Sequence, residues 1–100
     1  MQAILSRDTV MFLNFLQNRY NIAMRKCMQT RDTTVYIGEL RCSNGTLAVV
    51  KLKIASKGNS FVVYDRNKRE IYQCITLNTE GRTKQFLDRL MMNNTRGCDI

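Results

Sequence analysis

The most constraining stretch of this 100-residue chain is Leu47 to Ala55, LAVVKLKIA, held between two turn signals. Asn44-Gly45 precedes it, the strongest short hairpin signal, and Lys57-Gly58-Asn59 follows it. In a pleat of period two, Ala48, Val50, Leu52 and Ile54 point one way while Val49, Lys51 and Lys53 point the other. One face of such a strand belongs to a core and the other to water or to a ligand.

Neighbouring segments read as its partners. Thr33 to Cys42 (TTVYIGELRC) is rich in β-formers, and Phe61 to Tyr64 forms a further strand closed by Asp65-Arg66-Asn67-Lys68. Arg69 to Leu77 is expected to be the last strand, with Ile71, Gln73 and Ile75 opposed to Glu70, Tyr72, Cys74 and Thr76. A helix is expected on either side of this meander. The first spans about residues 7 to 25, with Leu5 before a Ser6 N-cap, Asp8 in the first turn, and Phe12, Leu13, Leu16, Tyr20 and Met24 on one stripe. The last is capped by Asn78 or Thr79, with Glu80 in its first turn. It buries Phe86, Leu87, Leu90 and Met91, and Gly97 is its stop signal. The expected fold class is therefore α+β: helix, three- to four-stranded antiparallel sheet, helix (α-β-β-β-α). Both helices pack on one face of the sheet, in a single domain over residues 1–100. The other face is left open.

Charge says what that open face would hold. Sixteen Lys and Arg stand against eight Asp and Glu, a net charge of +8 that calls for an acidic partner. From Arg41 to Arg69 the chain carries Arg41, Lys51, Lys53, Lys57, Arg66, Lys68 and Arg69, with Asp65 as the only acid. An open, basic sheet face suits RNA, held through phosphate and shape. A single-strand platform would interleave aromatics with these cations. Tyr36, Phe61, Tyr64 and Tyr72 are available, but they do not form the paired aromatic motifs of an RNA-recognition domain. Backbone and shape recognition is expected over base reading.

Other functions find little support in the residues. Histidine is absent, no Walker or GxGxxG loop occurs, and the Asp65 and Glu70 carboxylates flank a basic turn where ion pairing explains them. No enzymatic activity, cofactor or small-molecule substrate is expected. Cys27, Cys42, Cys74 and Cys98 contain no CxxC pair, so no zinc site is expected. Arg7 and Asp8 interrupt the apolar start too early for a signal peptide, and no apolar run approaches a membrane span. A cytoplasmic protein with reduced thiols and no membrane insertion is expected. On that ground the sequons Asn44-Gly45-Thr46 and Asn93-Asn94-Thr95 are chance matches.

The order of these segments resembles the Alu-domain proteins of the signal recognition particle, and within them the branch of the 14-kDa subunit. Ile4-Leu5-Ser6, Phe12-Leu13 to Leu16 and Val35-Tyr36-Ile37 occupy the places of that family's leucine-rich start, first helix and first strand. Phe61-Val62-Val63-Tyr64, Asn67-Lys68-Arg69, Ile71 to Leu77, Lys84-Gln85-Phe86 and Leu87 to Met91 occupy those of its later strands, basic turn and last helix. Two departures stand out. Ser43 to Asn59 lacks proline and reads partly as a strand where the family has a long Lys/Gly/Pro-rich loop. The sequence ends Cys98-Asp99-Ile100 where many members carry a basic tail. The resemblance implies a heterodimer with the 9-kDa subunit, in which two sheets join into one curved basic surface on the 5′ domain of the particle's RNA. It also implies an indirect action on the ribosome, a delay of translation elongation during targeting to the endoplasmic reticulum membrane. On this resemblance Arg41, Lys51, Lys53 and Lys57 match the first strand and its loop and would contact phosphates, and Arg66, Lys68 and Arg69 match the basic turn. The alternative is a small basic protein-interaction module, viral or adaptor, that dimerises through its sheet. A peripheral membrane binder would need a basic helix with exposed large apolar residues, and neither helix reads that way.

Overall fold

Ser6 begins the first element as the N-cap. In the computed structural model, which describes residues 6–42, 45–77 and 79–99 (side chains to residue 91), its Oγ accepts the Thr9 N–H at 3.1 Å. Helix α1 runs Arg7–Tyr20, with Asp8 in its first turn and Arg19 in its last, both favourable to the helix dipole. It stops at Asn21, which is left-handed at φ 58°; the Asn21 and Ile22 N–H groups donate to the carbonyls of Gln17 and Leu16. That double closure ends the helix earlier than the expected residue 25, and Ile22 drops, fully buried, into the core.

The chain then passes over Gly38 and forms β1 (Arg25–Gln29), a strand that the sequence does not announce. All five of its residues are exposed, so no alternation marks it. β2 (Thr33–Arg41), β3 (Leu47–Ala55), β4 (Gly58–Tyr64) and β5 (Glu70–Cys74) follow, making one antiparallel sheet in the order β1-β2-β3-β4-β5. The sheet thus has five strands, not three or four. Its edge strands are short, and each lies in a pairing interrupted by a bulge, which blunts an edge against further pairing. Helix α2 (Arg82–Asp99) closes the order. Its first bond runs from Gln85 N–H to the Gly81 carbonyl, so Glu80 precedes the first turn instead of sitting in it, and Gly97 does not end it. Asn44, Asn78 and the side chains of Asn93, Asn94 and Cys98, all invoked above, lie outside the described residues.

Both helices lie on one face. Phe12, Leu16 and Tyr20 of α1 and Leu87 of α2 join Tyr36, Leu40, Ala48, Val50, Leu52, Phe61 and Val63 in one core. Phe12 meets Phe61 edge-on at 5.0 Å, and Tyr72 of β5 stacks on Phe86 of α2 at 4.5 Å. The two helices are also tied by polar contacts around Asp88. Its carboxylate accepts from Arg19 Nε and Nη2, each at 3.1 Å, from the Tyr20 hydroxyl at 2.7 Å and from Lys84 Nζ at 3.1 Å. The Arg19 guanidinium foremost holds the Asp88 carboxyl well below the usual carboxylate range, while burial pushes the Tyr20 hydroxyl up.

Candidate nucleic-acid interface

The face that neither helix covers is built by register. Antiparallel pairing turns it into cross-strand rows. The central row runs Arg25, Ile37, Lys51, Val62, Gln73. The next, towards the β3–β4 turn, runs Met28, Val35, Lys53, Ser60. Lys51 and Lys53 are exposed there, as the alternation of β3 requires, with Val50 and Leu52 fully buried on the opposite face. Val35 and Val62 are only 6% and 8% exposed although no helix covers them. Each is a cross-strand partner of Lys53 or Lys51, so the aliphatic stems of the two lysines lie beside them and the ammonium groups stand in water.

Lys57 joins this group. The β3–β4 turn brings it into a shallow cleft with Lys53, Ser56 and Ser60, rimmed by Asp32 of the β1–β2 turn. The sequence does not mark Arg25 for this face, because its stretch reads as the end of a helix. Nor does the sequence mark Arg31, which is exposed in the β1–β2 turn.

The remaining expected cations lie elsewhere. On the other side of the central row comes Glu39, Val49, Tyr64, Glu70, with both carboxylates exposed. Arg41, paired with Leu47, lies beyond this acidic row. Arg66, Lys68 and Arg69 are exposed on the β4–β5 hairpin tip at the same end of the sheet. The basic run from Arg41 to Arg69 is therefore two clusters with acid between them. Glu39 and Glu70 sit just outside that run in sequence, and only cross-strand pairing brings them onto the face.

The hairpin tip is held by Asp65. Its Oδ1 accepts the backbone N–H groups of Asn67 at 2.8 Å and Arg69 at 2.9 Å, while the Lys68 N–H donates to the Asp65 carbonyl. This corrects the expected ion pairing: Asp65 caps the turn backbone. Among the described residues the ion pairs converge on Asp88 of α2, so the tip's three cations are not engaged in them.

The aromatics divide in the same way. Tyr36, Phe61 and Tyr72 lie on the helix-covered face, and Tyr64 alone among the four candidates lies on the open one. A stacking platform for successive bases is not present there. Among the described residues no group of metal-binding side chains gathers, and no helix is long and apolar enough to cross a membrane.

Fold and face together define an α+β protein with an open, five-stranded, cation-bearing sheet. Comparison with protein-family models, with curated proteins and with solved structures finds no match.

Proposed function

We propose that this chain is an RNA-binding subunit that holds the phosphate backbone of a structured RNA on its open sheet face. The observation that carries this reading is the cluster of Arg25, Lys51, Lys53 and Lys57. Register and turn gather them on a face without a helix, and none of them is engaged in an ion pair among the described residues. The lack of an aromatic platform favours backbone contact over base stacking.

A finer form of the proposal is a cytoplasmic subunit of the signal recognition particle's Alu domain, paired with a 9-kDa partner. It rests on the sequence resemblance and is supported by the order helix, antiparallel sheet, helix. β1 and the fifth strand exceed that family's three-stranded plan. The second reading, a module that dimerises through its sheet, draws on half-buried Ile37, Val49 and Tyr64 lying open beside opposite charges.

Filter-binding titrations with a folded RNA, with and without a 9-kDa partner, test the proposal. Contact of four cations with phosphates gives a log–log salt slope of about −3 to −4. Charge reversal at Lys51→Glu and Lys53→Glu should abolish that binding. Unchanged binding by the double variant, or no binding to any structured RNA, would refute it.

A further inference from the structure

We infer that the open face takes base-paired RNA across its shallow groove, with the phosphates of the two strands on two separate cation clusters and ribose hydroxyls on Glu39 and Glu70. This deepens the RNA reading above and rests on it.

The layout of charge imposes a direction. A strand laid along β3 from Arg41 to Lys57 would drag its phosphates over the row of Glu39, Val49, Tyr64 and Glu70, which lies about 7 Å from the Lys51 row. Like charges at that distance repel. A strand laid across the β-strands avoids this row and meets Arg25, Lys51 and, one row over, Lys53 with Lys57 in the turn beside it. The second cluster, Arg41 with the Arg66, Lys68 and Arg69 tip, then needs a second phosphate backbone. Its row lies about 13 Å from Lys51, four residues along β3. Two parallel backbones with a gap between them are what a duplex offers and a single strand does not.

The gap selects the kind of duplex. The wide, shallow groove of A-form RNA displays 2′-hydroxyls, which can donate hydrogen bonds. Ionised carboxylates are acceptors only. Glu39 and Glu70 are exposed, sit between the two cation clusters, and among the described residues form no ion pair with them. They repel phosphate but accept from a ribose hydroxyl, so the same pair of side chains positions both backbones and distinguishes RNA from DNA.

Fluorescence anisotropy of the full chain against one mixed-sequence duplex tests this in four forms: RNA, all-DNA, 2′-O-methyl RNA and the unpaired RNA strand. The 2′-O-methyl duplex keeps A-form shape and lacks the donor. RNA duplex should bind at least about tenfold tighter than each of the other three, the weight of one hydrogen bond to a charged acceptor. In the Glu39→Ala/Glu70→Ala variant the ratio of RNA-duplex to DNA-duplex affinity should fall towards one. Both positions are exposed, so the fold is not at stake. If the carboxylates only repel, the variant tightens RNA and DNA equally and keeps their ratio, which overturns the inference but leaves RNA binding standing. Equal affinity for duplex and single strand, still sensitive to Lys51→Glu/Lys53→Glu, does the same. A concentration-dependent dimer broken by Glu39→Ala/Glu70→Ala, with no duplex binding, assigns the face to a second copy of this chain and overturns both. So does the absence of salt-sensitive binding to any RNA.

Discussion

Replacing Gly38 by alanine should destabilise the protein, although alanine is the better residue for an ordinary strand position. Gly38 lies in β2 on the helix-covered face, where the chain from Ile22 to Met24 crosses it. An added Cβ would stand 2.7 Å from Met24 Sδ, 3.0 Å from Ile22 Cγ2 and 3.1 Å from the Ala23 carbonyl oxygen. The sulfur is the flexible part of a half-buried side chain and can swing away. Ile22 is fully buried and the Ala23 oxygen is backbone, so those two must shift with the chain. Overfilling a packed site costs about 1–3 kcal/mol. Alanine recovers about 0.4–1 kcal/mol by restricting the unfolded chain. The net loss should be about 1–2 kcal/mol, which at an m-value of roughly 1–1.5 kcal/mol/M lowers the urea midpoint by about 1 M. Ile22→Ala, which removes the Cγ2 that the added methyl would meet, should cost less in the Gly38→Ala background than alone, with a coupling of about 0.5 kcal/mol or more in the double-mutant cycle. Because the crossing segment leads directly into β1, Gly38→Ala should also weaken RNA binding through Arg25. A midpoint equal to or above that of the parent would refute the close crossing and with it the placement of β1 that brings Arg25 to the open face.

Three further outcomes are expected. Arg25→Ala should reduce the salt slope of RNA binding by about one and leave the urea midpoint unchanged, since the side chain is exposed and unpaired among the described residues. Asp88→Asn should cost about 1 kcal/mol at neutral pH by weakening the 2.7 Å bond from Tyr20; the exposed Arg19 partner adds little. Because the folded Asp88 carboxyl is held below its unfolded value, its contribution is present above about pH 4 and fades as pH falls through the depressed folded value. Parent and variant midpoints should therefore converge in acid, and a gap that widens there would contradict the assignment. Lys68→Gly, at a left-handed φ of 67°, should raise stability by about 0.5–1 kcal/mol, read as a Tm increase of a few degrees, while weakening RNA binding by removing a cation of the tip.

Much of the fold could be read directly. Ser6 is the N-cap of α1, the stripe of Phe12, Leu16 and Tyr20 is buried, and the alternation of β3 sends Lys51 and Lys53 to one face and Val50 and Leu52 to the other. These features repeat at the period of their own element, so they survive whatever the element packs against. β1 escaped because an exposed edge strand need not alternate, and because the Asn21 closure that ends α1 early is one residue's conformation. Glu80 reads as first-turn because Asn78 and Thr79 ahead of it are cap-forming residue types, yet the helix starts two residues later, at Arg82.

The site was legible only in halves. Residue order along the chain determined which cations exist, which of them share the wet side of β3, and that this side carries no histidine or paired-aromatic motif. Which charges are neighbours was decided by the tertiary structure alone. Antiparallel register sets Lys51 beside Ile37 and Val62, brings Arg25 into its row, and lays Glu39 and Glu70 across a basic run that contains neither of them. Sequence distance measures contour length, whereas electrostatic interaction depends on separation in space, and a sheet with strands under 5 Å apart makes neighbours of residues far removed along the chain.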